Sequence, residues 1–99
     1  MNFNQKCYDL IVQIPKGSLC TYKQIANCLN TKAYRQVGNA MSKNPTPIIV
    51  PCHRVINSNG SVGGFLLGIN KKISLLKNEG IKIKKGKVVD YKKHLFLFK

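Results

Sequence analysis

The chain has 99 residues, 43% of them hydrophobic, and a formal net charge of +14 from seventeen Lys and Arg against three acids. That length suits one domain, 1–99, with one modest core that buries roughly two thirds of the surface the unfolded chain exposes. It leaves no room for a helical membrane span, because no apolar run approaches the ~20 residues needed.

The opening Met1-Asn2-Phe3-Asn4-Gln5-Lys6 lacks the apolar core of a signal peptide, so a soluble cytoplasmic protein is expected. The cation excess points to a polyanion, most simply nucleic acid. A membrane surface is the rival, but no amphipathic helix with bulky apolar anchors on one side is evident. Ten of the seventeen cations lie from Lys71 onward, a lysine-rich end suited to phosphate contact rather than base reading. Cysteines stand at 7, 20, 28 and 52 with no CxxC pair, so no metal and no cofactor is expected. Disulfides do not suit an intracellular chain. Cys7, Cys20 and Cys28 lie among apolar neighbours and read as small buried hydrophobes. Nothing signals a partner chain, and a monomer is expected.

In chain order, Phe3 to Ile14 predicts a first helix, since Phe3, Cys7, Leu10, Ile11 and Ile14 recur at three- and four-residue spacing. Pro15-Lys16-Gly17 ends it. Thr21 is a fair N-cap for a second helix, Tyr22 to Leu29, with Ile25, Ala26 and Leu29 inward. After the polar break Asn30-Thr31-Lys32 a third helix runs from Ala33 to Lys43, with Val37, Ala40 and Met41 on one side. Two short helices so joined, the second carrying Arg35, look like a helix-turn-helix. The third helix offers Tyr34, Arg35, Gln36, Asn39 and Met41, with few long polar side chains for base edges. Its small residues Ala33, Gly38 and Ala40 suit a helix that senses shape or enters a minor groove.

Asn44 to Pro47 is a rigid loop. Ile48 to Val50 reads as a short buried extended run, and Asn57 to Gly64 as a turn-rich loop. Ile69 to Asn78 predicts a fourth helix with Ile69, Ile73 and Leu76 inward and Gly80 as its stop. Ile81 to Lys84 alternates like a strand, and Lys85-Gly86 can turn it into Lys87-Val88-Val89, a small basic hairpin. His94 to Lys99 is apolar and must dock, on the core.

Between the apolar run and the loop stands Pro51-Cys52-His53-Arg54-Val55. A free thiol has a pKa near ~8.5 and is only a few per cent thiolate at neutral pH, so a nucleophilic Cys52 needs a base. His53 is the only nearby side chain that holds a proton near pH 7, and a bridging water can link the two. A histidine base needs an orienting acceptor. Glu79 is the chain's only glutamate, with Asp9 and Asp90 the only other acids. Against this stand an inertly packed Cys52 and a Glu79 that only decorates the surface.

The wider stretch Asn44 to Ile56 resembles the active-site signature of the 6-O-alkylguanine-DNA alkyltransferases. Similarity to the catalytic C-terminal domain of that family runs from about Phe3 to Gly80, leaving 81–99 as a basic extension. Thr21-Tyr22-Lys23-Gln24-Ile25-Ala26 is similar to the family's tyrosine-bearing helix start. Arg35 to Met41 is similar to its arginine-finger helix. Asn44-Pro45, Gly60, Val62-Gly63 and Glu79-Gly80 follow in the family's order.

The resemblance implies a mainly α fold with short β elements, winged helix-turn-helix-like, and an activity on double-stranded DNA containing alkylated guanine. It implies that Cys52 accepts the alkyl group, that His53 takes the thiol proton through water, and that Glu79 orients His53. Tyr22 would donate to the guanine ring, Asn44 brace the active-site loop, and Arg35 fill the gap left by a flipped base. The DNA face so implied comprises Tyr22, Ala33, Arg35, Gln36, Gly38 and Lys43. The lesion pocket comprises Val50, Pro51, Phe65 and Leu66, with main-chain carbonyls near Val50 and Cys52 holding the guanine amine.

One departure stands out. Where the family commonly has Tyr-Ser-Gly-Gly, this chain reads Gly64-Phe65-Leu66-Leu67-Gly68, which replaces a serine hydroxyl by Leu66. The variable N-terminal domain of the family has no counterpart in the sequence. Two further readings compete with a single-turnover repair protein. One is a lesion-sensing protein similar to the alkyltransferase-like proteins, which lack the cysteine. The other is a plain helix-turn-helix module.

Overall fold

A computed structural model describes residues 2–98, so Met1 and the Lys99 end of the apolar tail lie outside the described residues. Helix α1 (Phe3–Ile11) is capped by Asn2, whose side chain accepts from the Gln5 N–H at 2.8 Å. It stops a turn before the expected Ile14. Gln13 and Ile14 donate to Leu10 and Ile11 at 3.1 and 3.0 Å, the i→i−3 pattern of a tightening last turn. Pro15 disfavours helix at the residue before it, yet Ile14 still reaches the core.

Strand β1 (Cys20–Thr21) runs straight into helix α2 (Tyr22–Cys28). The junction is a capping box: Thr21 Oγ1 accepts from the Gln24 N–H at 3.1 Å, and Gln24 Oε1 accepts from the Thr21 N–H at 2.9 Å. Helix α3 (Tyr34–Ser42) follows and packs on α1 and α2 with Val37, Ala40 and Met41 buried. Ala40 therefore faces the core and not a groove; the Tyr8 hydroxyl donates to its carbonyl at 2.8 Å. Cys28, expected inside, is exposed near the end of α2, whereas Cys7 and Cys20 are buried.

A 3-10 turn (Cys52–Arg54) leads into strand β2 (Val55–Ile56), which pairs in parallel with β1 in the register Cys20 with Val55 and Thr21 with Ile56. Successive strand residues point to opposite faces. Cys20 and Val55 accordingly join the core under α1, α2 and α3, while Leu19 and Ile56 join a second cluster with Val62, Leu76, Ile81 and Val88. This short ladder is buried on both sides, as parallel pairs generally are. The C-terminal segment adds to its other edge: Leu19 donates to His94 at 2.8 Å and Phe96 to Leu19 at 2.7 Å. Phe96 and Phe98 stack edge-to-face on each other and pack against the first core, the docking expected for the tail.

The run 48–50 departs from expectation. Ile48 is 43% and Ile49 82% exposed, and Ile48 has a φ of 78°. The two prolines on either side close a tight turn in which Val50 donates back to Thr46 at 2.9 Å, leaving the isoleucines at its tip. A β-branched residue in the left-handed region is strained.

Helix α4 (Ile69–Asn78) turns Leu76 and, partly, Ile73 toward the second core as expected, but its first turn departs. Ile69 is exposed, while Lys72 is fully buried with Leu76. Strands β3 (Ile83–Lys84) and β4 (Lys87–Val88) form the expected hairpin, and Lys85 and Gly86 both have positive φ. Among the described residues no helix is long and apolar enough to cross a membrane.

Candidate active site

Pro51 shapes the approach to the cysteine. Its φ of −81° and ψ of 63° are those of an inverse γ-turn, closed by the Cys52 N–H donating to the Val50 carbonyl at 2.8 Å. Asn44, buried after α3, donates from Nδ2 to the same carbonyl at 2.7 Å and accepts the Thr46 N–H at 3.0 Å. It thus clamps both ends of the 44–51 loop. The Val50 carbonyl, expected to hold a guanine amine, already has both lone pairs occupied, because Asn44 and Cys52 take them.

Cys52 is only 2% exposed, but it lines a cavity of about 270 Å³ with Tyr22 from α2, Gly38, Met41 and Ser42 from α3, and Phe65 and Leu66. Burial raises the thiol pKa, opposed by the Asn44 side chain and the charge of Lys72. The phenol of Tyr22 is likewise raised by burial and then by the neighbouring Cys52 and Cys20, so it stands as a proton donor at neutral pH. Phe65 presents its ring to His53 at a centroid distance of 6.4 Å and an angle of 69°. Leu66 occupies the wall where a hydroxyl was expected to be missing, whereas Val50 and the buried Pro51, both expected in the pocket, do not line the cavity.

Behind Cys52, His53 is wholly buried, and its Nε2 lies 2.9 Å from Glu79 Oε2. Glu79 is gripped in turn by Arg54, whose Nε donates to Oε1 at 2.9 Å and Nη2 to Oε2 at 2.7 Å. Arg54 Nη1 donates to the Ile14 carbonyl at 2.8 Å, fixing the fork. Such bidentate pairs are the strong, directional form of an ion pair. Burial pushes the Glu79 carboxyl up, but the hydrogen bonds from Arg54 and His53 outweigh it and hold the group below the usual carboxylate range. Burial also lowers His53, against the pull of Glu79. The His53–Glu79 contact is therefore a neutral imidazole donating Nε2–H to a carboxylate whose charge Arg54 already balances. The imidazole's Nδ1 is buried and has no hydrogen-bond partner among the described residues, so its lone pair is free to take a proton.

Two participants escaped the sequence reading. Arg54 sits beside His53 in the motif, and its role needed the fold that carries Glu79 to it across 25 positions. Lys72 donates to the Val55 carbonyl at 2.6 Å and the Gly64 carbonyl at 3.1 Å, tying the strand after Cys52 to the 64–68 wall. Burial lowers its pKa to about 8. Its spacing of four from Leu76 was the available signal.

A wider groove of about 740 Å³ adjoins the cavity, sharing Tyr22 and Gly38 with it. Tyr34 and Arg35 of α3 line it together with Asn57, Ser58 and Asn59. Gln36 and Lys43 are exposed on and just after α3, and Ala33 is half-buried at its start; none of the three lines the groove. Among the described residues no group of His, Cys, Asp and Glu could hold a metal ion.

Fold and site together describe a helix-turn-helix domain with a buried cysteine at the floor of a cavity beside its second helix. The sequence model of the 6-O-methylguanine DNA methyltransferase, DNA binding domain, matches residues 2–81, and the chain belongs to that family. It is 48% identical over 81 residues to the methylated-DNA--protein-cysteine methyltransferase of Saccharolobus solfataricus, covering 82% of this chain and 52% of that one. The chain thus spans about half the length of the curated relatives it matches. It is similar to Mycobacterium tuberculosis OGT, solved in complex with DNA, with a TM-score of 0.77 and 41% identity over 81% of this chain and 49% of that one. It is also similar to S. pombe Atl1, solved with damaged DNA containing O6-carboxymethylguanine, with a TM-score of 0.83 and 32% identity over 95% and 94% of the two chains.

Proposed function

We propose that this protein repairs 6-O-alkylguanine in duplex DNA by moving the alkyl group irreversibly onto Cys52. One observation carries the reading: the thiol opens onto a cavity beside α3 while a His53–Glu79–Arg54 relay stands behind it. A base inside a duplex is shielded by stacking, so the damaged nucleotide is first extruded, at a cost of a few kcal/mol. Arg35, beside the cavity mouth, fills the vacancy. The Cys52 proton passes through a water to His53 Nδ1, and the sulfur attacks the alkyl carbon. The carbon–oxygen bond breaks, and Tyr22 donates to the guanine ring as its negative charge develops. The product is a thioether with no group nearby to hydrolyse it, so each molecule acts once. Gly38 leaves the α3 surface open, since a Cβ there meets nothing within 4 Å.

Incubation with a duplex carrying a labelled 6-O-methylguanine tests this. Label is expected on Cys52, one per chain; Cys52→Ala transfers none yet binds DNA. Residual transfer by that variant would move the nucleophile elsewhere. Arg35→Ala is expected to lose affinity for the lesion duplex more than for plain duplex, and equal losses would contradict the wedge role.

A second reading has its own support. The likeness to Atl1 covers nearly both chains, and Leu66 narrows the pocket wall. Tight lesion binding without label transfer is the outcome that favours a sensor.

A further inference from the structure

The chain beyond residue 81 lies outside the span that matches the family, and its charge has no part in the chemistry above. We propose that the outer face of the β3–β4 hairpin, Lys82, Lys84 and Lys87, is a second phosphate-binding surface for duplex DNA lying in the Tyr34–Arg35 groove. The inference rests on the DNA-binding half of the function proposed above.

Alternation puts Ile81 and Ile83 toward the second core and Lys82 and Lys84 outward. The register sets Lys84 directly opposite Lys87. Like charges facing each other across a ladder destabilise it. Among the described residues no ion pair relieves the two lysines. Of the three acids, Glu79 is held by Arg54 and His53, Asp90 lies 3.7 Å from Lys93, and Asp9 accepts from Gln5. Among the described residues no carboxylate comes within ion-pair reach of Lys82, Lys84 or Lys87. A face of paired lysines that the protein does not neutralise is one that an external anion stabilises.

Its placement identifies the anion. Val88 donates to the Gly60 carbonyl at 2.9 Å and Val62 to the Gly86 carbonyl at 3.0 Å, so β4 lies along the loop that follows Asn57. Asn57, Ser58 and Asn59 of that loop line the groove together with Tyr34, Arg35 and Gly38 of α3. Tyr91 locks the loop: its hydroxyl donates to the Ser58 carbonyl at 3.0 Å, and its ring fits so closely under Gly60 that a Cβ there would meet it at 2.6 Å. The hairpin is therefore tied to the loop that lines the groove, with β4 one strand spacing (~4.8 Å) from the Gly60–Val62 part of that loop. A duplex seated in the groove extends its backbone over this face. Lysines, as flexible point charges, hold phosphates without reading bases.

The test uses the full chain and a fluorescent undamaged duplex, with anisotropy followed between about 50 and 200 mM salt. Each phosphate contact contributes about 0.9 to the slope of log affinity against log salt, so K84Q/K87Q is expected to lower that slope by about 1.8. K6Q/K16Q removes the same charge from α1 and the turn after it, and is expected to change the slope by less than about half as much. Melting of K84Q/K87Q at or above the wild-type temperature confirms that the hairpin survives. Equal slope changes in the two variants, or none in K84Q/K87Q, would overturn the assignment. So would unchanged DNA affinity in K84Q/K87Q with lost binding to phosphatidylserine vesicles, which would give the face to a membrane. Failure of the wild type to bind duplex at all would sink the functional reading as well. Wild-type binding with an unaltered K84Q/K87Q slope would sink this inference alone.

Discussion

The Cys52 thiol is held protonated at rest, because burial outweighs the help it receives from Asn44 and Lys72. His53, lowered from 6.5, is neutral and ready to accept a proton. Under the proposed function the resting thiol is a weak nucleophile until its proton is taken. The pH dependence follows by sign. Thiolate becomes more abundant as pH rises toward the raised thiol pKa, so alkyl transfer should speed up from pH 7 to 9. As the pH falls through the lowered His53 pKa, protonation removes the base and the rate should drop further. Single-turnover rates across this range check both limbs. Glu79→Gln removes the carboxylate that raises the His53 pKa, so the acid limb should move to lower pH. Transfer should also slow roughly 100-fold, the scale of a lost acid–base assistance. An unmoved acid limb would show that Glu79 only supports the fold.

At the scale of elements, the junction of β1 with α2 places Tyr22, and the 3-10 turn before β2 places Cys52, His53 and Arg54. One parallel ladder thus sets Tyr22 and Cys52 on the same cavity. Helix α3 supplies the facing wall, and Gly38 is its thinnest point. A glycine inside a helix costs about 1 kcal/mol relative to alanine. Nothing within 4 Å forbids a side chain at 38, so packing does not explain its presence. Gly38→Ala should therefore raise the melting temperature while weakening DNA binding several-fold. Denaturation and anisotropy on the same sample decide this, and stability gained without loss of affinity would remove α3 from the interface.

The whole molecule carries +14 charges on 99 residues. That density repels itself and attracts phosphate, and salt screens both effects. Added salt should raise the melting temperature while it lowers DNA affinity. Opposite trends in the two measurements would come from one cause, whereas a flat affinity would deny that the lysine excess serves a polyanion. The lysine-rich end is also structural: residues 94 to 98 join the edge of β1, and the Gln24 side chain, already in the α2 capping box, donates to the Phe96 carbonyl at 2.8 Å. The core under the Cys52–Arg54 turn thus includes Phe96 and Phe98 of this segment.

Sequence alone determined whatever repeats or caps locally. The buried stripes of α1, α2 and α3, the Thr21 cap, the Lys85-Gly86 hairpin turn and the charge were all legible, because spacing and turn chemistry act over a few residues. The ordered matches around Tyr22, Arg35, Cys52 and Glu79 also pointed to the family. The tertiary structure decided what depends on partners far along the chain. The β1–β2 pairing joins residues 35 positions apart. It sets the two-faced core, and nothing in either dipeptide names the other. Lys72 is buried because two carbonyls await its amine, and Ile48 and Ile49 are exposed because a proline-framed turn turns them out. Arg54 became part of the relay only when folding brought Glu79 within 3 Å of it. Hydrophobicity predicts which residues prefer burial, but hydrogen-bond satisfaction and long-range closure select which ones achieve it.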